Sequence, residues 1–271
     1  MGLKVEEYLE IQGGKLYLRF LNRNLMDPEK PFLLFLHEGL GSVEQWKTFP
    51  ERLCEEACLP GVLYDRFGHG KSAPFLKKRE IDYLEIEAFE ILPQVLNQLP
   101  SREVIFIGHS DGASIALLFA SRFPDRVRAV ISESAHIYCE ELTRSAIREV
   151  GFAYLMTDLG SRLERYHGDK TVDLFHAWHD TWLTEEFKYW SIESFMENVV
   201  CPVLLMQGKN DQYFASSHLE DLALELKNAK VQKKLIDKCQ HVPHFEKRKE
   251  VLDIILHFLE SENLFPKKKP C

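Results

Sequence analysis

The sequence predicts an α/β protein with a mostly parallel eight-stranded sheet flanked by helices. Two observations carry this. Apolar runs of strand length alternate with segments of helical period from one end of the chain to the other, the rhythm of a sheet joined by crossover helices. The exception is the start, where "EYLEI" and "KLYLRFL" flank "QGG" and form a hairpin.

The elements follow in order. After the hairpin come the strand "PFLLFL", a helix around "VEQWKTFPERLCEEA", the strand "GVLYD", the helix "IDYLEIEAFEILPQVLNQL" and the strand "VIFIG". Behind that fifth strand, Ala113, Ala116, Leu117 and Ala120 recur at helical spacing. "VRAVISE" makes the sixth strand. The last third repeats the rhythm with "CPVLLMQG", the helix "SSHLEDLALELKNA", the strand "VQKKLID" and the closing helix "EVLDIILHFLE".

Between Ser134 and Cys201 the chain is far longer than one crossover needs, so a segment is inserted there. The insert is helical in pattern and holds three of the four tryptophans, Trp178, Trp182 and Trp190. Most of its aromatic residues are expected to pack it onto the main domain. A few would line a pocket between insert and core, with Trp178 and Trp182 as candidates for substrate contact.

With 271 residues, 45% of them hydrophobic and 28% charged, the chain can bury a large core. Its formal net charge of -8 argues against a nucleic-acid partner, which selects a concentrated basic face. "MGLKVEEYLEIQGG" has no basic region followed by an apolar core, and no apolar run reaches membrane-spanning length, so neither export signal nor span is expected. Cys54, Cys58, Cys139, Cys201, Cys239 and Cys271 show no paired CxxC spacing and are expected as free thiols in the cytoplasm, with Cys54 and Cys58 facing the core together. Glu6 and the terminal position of Cys271 speak against lipid anchors, and "FPKKKPC" reads as a solvated tail.

The chemistry centres on "GHSDG". A serine hydroxyl is a poor nucleophile until a base removes its proton, a third group orients that base, and donors receive the developing oxyanion. Gly108 and Gly112 permit a tight strand-to-helix turn that exposes Ser110 at the carboxyl edge of the sheet, beside the helix N-terminus. After the third strand, "HEGLGS" supplies glycine-rich backbone. The Gly39 amide is the candidate oxyanion donor, Asp111 the second and Leu40 the fallback. Asp211 follows the seventh strand. His241 and His244 follow the eighth; His241, nearer the strand, is the candidate base, and His244 is expected to pack or cap where the last helix begins. The order Ser110, Asp211, His241 is that of a triad on an α/β sheet.

These residues, together with "DRFGHGKS" from Asp65 to Ser72, resemble the α/β-hydrolase superfamily over nearly the whole chain, and within it capped, carboxylesterase-like members. The resemblance implies a helical cap after the sixth strand: residues 1–137 and 197–271 would form the hydrolase core and 138–196 the cap over Ser110. It also exposes one departure. Many relatives carry His-Gly where this chain has His37-Glu38, which places Glu38, beside Leu40, among the candidate substrate-contacting residues.

Other signals carry less. The GKS of "DRFGHGKS" lacks the leading glycine of a phosphate-binding loop. His176 and His179, with His167 nearby, lack the spacing of a zinc pair and are expected at the surface or along a pocket. His109 is expected to pack behind the nucleophile, and Asp111 to supply polarity at a helix start. The expected activity is hydrolysis of a small to medium, apolar ester or thioester through an acyl-enzyme. No cofactor, metal or membrane partner is expected, only a small-molecule substrate. Carbon–carbon bond hydrolysis or lyase chemistry by the same triad, and a ligand-binding protein with little turnover, are the alternatives.

Overall fold

The structure is a computed structural model that describes residues 4–75, 77–101 and 103–264. Eight strands form one sheet: β1 (Val5–Ile11), β2 (Gly14–Leu21), β3 (Phe32–Leu36), β4 (Gly61–Tyr64), β5 (Val104–His109), β6 (Val127–Glu133), β7 (Val203–Gly208) and β8 (Val231–Ile236), in the order β1-β2-β4-β3-β5-β6-β7-β8. β2 runs antiparallel to both β1 and β4, and every other pairing is parallel. The eight strands are the ones read from the sequence.

Alternation along the central strands divides the core in two. Leu33, Phe35, Ile105, Ile107 and Ile131 face one side, under α1 (Phe49–Ala57) and the closing helix, whose Val251, Ile255 and Phe258 join them. Leu34, Phe106, Val130 and Leu205 face the other side. They lie under α2 (Tyr83–Ile86), α3 (Leu92–Asn97) and α4 (Asp111–Arg122). β8 closes the sheet with Lys233 and Lys234 exposed, charges that discourage pairing with another edge.

Two expected helices are subdivided. The stretch from Val43 to Ala57 is a tight turn over Val43–Trp46 followed by α1, because Lys47 adopts a φ of 56° between them. Between α2 and α3, Glu87–Ile91 widen into a π-helical turn just ahead of Pro93, whose missing amide interrupts the α ladder.

After β6 the chain passes through α5 (Glu141–Met156), α6 (Leu159–His167), α7 (Thr171–Leu183) and α8 (Glu193–Met196) before β7. A short antiparallel contact forms a neck: the Cys139 amide donates to the Trp190 carbonyl at 3.2 Å, and the Ile192 amide to the Ile137 carbonyl at 2.7 Å. α9 (Ser217–Glu225), α10 (Pro243–Glu246) and α11 (Arg248–Ser261) complete the fold.

Cys54, Cys139, Cys201 and Cys239 are free thiols. Cys58 corrects the expectation in two ways: it is disulfide-bonded, and it is the half-buried residue that ends α1 in a left-handed turn rather than a core neighbour of Cys54. Gly2, Cys271 and the tail "FPKKKPC" lie outside the described residues. Among the described residues no helix is long and apolar enough to cross a membrane.

Candidate active site

Ser110 occupies the turn between β5 and α4 with φ 53° and ψ −120°, a backbone region that strains any residue bearing a Cβ. The turn is tight because its neighbours are glycines. A Cβ on Gly112 would sit 2.0 Å from the Leu36 carbonyl oxygen, and one on Gly108 2.5 Å from the Ala113 backbone. The Ser110 amide donates to the Glu133 carbonyl on β6 at 2.8 Å, which fixes the corner against the next strand.

The loops after β7 and β8 bring the other two candidates to that corner. The Ser110 hydroxyl lies 3.0 Å from His241 Nε2, and His241 Nδ1 lies 2.9 Å from Asp211 Oδ2. The Asp211 side chain is fully buried, and its Oδ1 also accepts from the Tyr213 amide at 2.8 Å. Burial works to raise this carboxyl, but His241 and the Tyr213 and Phe214 amides outweigh it and hold the group below its ordinary value. An ionised Asp211 fixes the proton on Nδ1, so Nε2 presents a lone pair to the serine.

His244 is elsewhere. Its Nδ1 lies 2.8 Å from Glu133 Oε2, and its ring packs on Trp46 at 4.4 Å between centroids. It starts α10, the packing and capping place read for it.

Glu38, Gly39, Leu40, Ser110, Asp111, Trp178, Trp182 and His241 border one cavity of about 90 Å3, together with Thr143, Ile147, Tyr213 and Phe214. All the expected site residues are thus brought together. The insert closes one side of this space: a Cβ on Gly39 would lie 2.6 Å from the Trp178 ring. A larger groove, about 840 Å3, lies between residues 74, 75 and 77–81 and the other face of α7 and holds none of the three candidates.

Several polar residues exceed their expected roles. Asp111 is more than helix-start polarity: its buried Oδ2 accepts from the Tyr83 hydroxyl at 2.9 Å, and that hydroxyl accepts from Trp182 Nε1 at 3.0 Å. Arg66, from "DRFGHGKS", donates to the Glu38 carbonyl at 2.7 Å and the His37 carbonyl at 3.2 Å. His109 does pack behind the nucleophile, and its Nε2 donates to the His241 carbonyl at 2.8 Å. The Glu38 side chain turns toward His109, with Oε2 3.5 Å from Nδ1. Burial opposes ionisation of Glu38, yet the His109 and His37 rings carry its carboxyl well below the usual range. Burial likewise opposes a charged His109, and the Glu38 contact lifts it above its ordinary value.

His176 is exposed and paired with Asp180, whereas His167 is buried against the 37–42 loop. Among the described residues no group of three or more His, Cys, Asp or Glu is placed to hold a metal.

A hairpin opening a parallel sheet of this strand order, with a serine on the strained turn behind β5, is the architecture of the α/β-hydrolases, and the chain has that fold. A sequence model for the alpha/beta hydrolase fold matches residues 31–150. The chain is 24% identical to a candidate 2-succinyl-6-hydroxy-2,4-cyclohexadiene-1-carboxylate synthase of Bacillus subtilis (strain 168), over 83% of this chain and 89% of that protein. It is 23% identical to the serine hydrolase BPHL of Homo sapiens, over 73% and 69%. Among solved structures, MGS-M2, an alpha/beta hydrolase enzyme from a Medee basin deep-sea metagenome library, superposes with a TM-score of 0.75 at 18% identity, covering 98% of this chain and 99% of that one.

Proposed function

We propose that the chain is a serine hydrolase that cleaves a small to medium, apolar carboxylic ester or thioester through an acyl-enzyme. The observation that carries the reading is the 3.0 Å approach of the Ser110 hydroxyl to His241 Nε2, with Asp211 on the opposite ring nitrogen. His241 takes the hydroxyl proton as Ser110 attacks the carbonyl, and Asp211 stabilises the imidazolium that forms. The amides of Gly39 and Asp111 receive the oxyanion. His241 then returns the proton to the departing alcohol or thiol, and water activated by the same ring releases the acid and restores Ser110.

The cavity supports the substrate class. Leu40, Ile147, Trp178, Trp182 and Phe214 offer an apolar wall, and about 90 Å3 suits a short acyl group. Hydrolysis of p-nitrophenyl esters and acyl thioesters of increasing chain length tests this. The reading requires turnover that falls with chain length and disappears in Ser110→Ala.

A second reading, lyase chemistry with elimination by the same residues, rests on the similarity to the Bacillus subtilis protein, which is named a synthase and not a hydrolase. Reaction in heavy-oxygen water separates the two. Acyl-enzyme hydrolysis places solvent oxygen in the product acid, and elimination does not.

A further inference from the structure

We infer that His167, contributed by the inserted helices, is a positioning residue that locks the oxyanion loop in its working shape. The inference rests on the serine-hydrolase reading and adds a requirement to it: the site is complete only when the end of α6 is docked on residues 37–42.

The four peptides after β3 are held from two sides. On the core side, His37 Nε2 accepts from the Arg66 amide at 3.2 Å, which leaves the ring proton on Nδ1 to donate to the Glu38 carbonyl at 2.8 Å. Arg66 Nη2 donates to the same carbonyl. In a trans peptide the amide points opposite to the carbonyl, so these bonds turn the Gly39 N–H away from Arg66. The Gly41 amide closes the turn onto the Glu38 carbonyl at 3.0 Å.

The outer end of the turn has a different keeper. His167 Nδ1 accepts from the Gly70 amide at 3.0 Å, and this assigns the ring proton to Nε2. That N–H donates to the Leu40 carbonyl at 3.0 Å. One buried ring therefore joins the insert, the "DRFGHGKS" loop and the oxyanion loop, and Lys170 strengthens the same joint by donating to the Gly70 carbonyl at 2.8 Å. Trp178 lies against Gly39 from the same side. Without the His167 bond, the Leu40–Gly41 peptide keeps only the Gly41 amide's bond to the Glu38 carbonyl, and the turn that carries the Gly39 amide loses its outer anchor.

His69 does not replace it. Its two nitrogens lie 2.8 and 3.1 Å from the carbonyl oxygens of Phe67 and Gly39, and a neutral ring has one proton for the two.

The test compares His167→Leu, which fills the space without a donor or acceptor, with His167→Gln, whose amide can donate and accept at similar positions. Amide hydrogen exchange is measured over the whole chain, and kcat and KM for p-nitrophenyl acetate are referred to the amount of fluorophosphonate-labelled serine. Losing an oxyanion donor outright costs about 100-fold or more in kcat, so misdirecting one is expected to cost roughly tenfold or more. For His167→Leu we expect that fall with KM within about twofold, together with faster exchange confined to residues 37–42. For His167→Gln we expect most of both to be recovered.

Unchanged kcat per labelled site in His167→Leu overturns the inference, even if exchange rises, because the histidine would then be a fastening alone. Unchanged exchange in the loop also overturns it. A wild-type protein that neither labels nor turns over contradicts the hydrolase reading instead, and the exchange comparison still decides whether His167 orders the loop.

Discussion

The Glu38 carboxylate stands 3.5 Å from His109 Nδ1, and His109 in turn donates from Nε2 to the backbone carbonyl of His241. Glu38 thus reaches the loop of the candidate base through one intervening ring. Each group draws the other toward its charged form, Glu38 downward and His109 upward from their ordinary values.

The sign of its pH dependence follows. A histidine whose folded value is raised contributes stability that is full below its unfolded value, near 6.5, and is lost as pH rises through the higher folded one. Glu38, depressed, contributes fully above about 4.5 and loses that contribution as pH falls through its lower folded value. Wild type should therefore lose more stability than Glu38→Gln as pH rises above about 6.5. Denaturant unfolding of both proteins across that range measures the difference; parallel curves would break the pairing.

Substituting the two histidines after β8 should give opposite phenotypes. His241→Ala removes the base and should lower kcat by about 10,000-fold or more with the fold retained. His244→Ala leaves the buried Glu133 carboxylate without its ring partner and should cost roughly 3–5 kcal/mol of stability, while the folded fraction still turns over. Calorimetry beside turnover per labelled site reads both effects.

Gly112 has no room for a side chain. Gly112→Ala places a methyl carbon 2.0 Å from the Leu36 carbonyl oxygen, a backbone atom that cannot swing aside. The account expects a loss of about 3 kcal/mol or more, or failure to accumulate folded protein. A stable, active Gly112→Ala would contradict the turn geometry.

Trp182, Tyr83 and Asp111 form a chain of hydrogen bonds from the insert to the helix behind Ser110. Tyr83→Phe removes this hydrogen bond from both neighbours, leaving Asp111 its longer contacts with Arg66 and His136, and should destabilise by roughly 1–3 kcal/mol. In a double-mutant cycle with Trp182→Phe, the losses should be less than additive by about 0.5 kcal/mol or more. Independent losses would show that the insert and the core are not joined through this tyrosine.

Much of this geometry was legible in the chain because it depends on local pattern. Ser110, Asp211 and His241 lie within five residues of the ends of β5, β7 and β8, so the carboxyl edge of the sheet gathers them whatever the details of packing. Gly108 and Gly112 announce the turn between strand and helix. The residues that steady the site carry no such mark. His167 looks like the end of a polar helix, and its partners, Leu40 and Gly70, are 127 and 97 residues away and offer only backbone atoms. Arg66 was visible within a motif, but the carbonyls it holds belong to another loop. Asp111 read as helix-start polarity because its burial depends on Tyr83 and Trp182, which only the folded insert brings near. Cys58 failed as a core residue because α1 ends one position earlier and leaves it half-buried in a left-handed turn.

The central claim is that Ser110 is a nucleophile activated by His241. Incubation with a fluorophosphonate probe, followed by intact mass and peptide mapping of wild type and His241→Ala, tests it most directly. The account predicts one added label on Ser110 in wild type and its loss in the variant. A folded wild type that takes no label, or a Ser110 that labels equally well without His241, would contradict it.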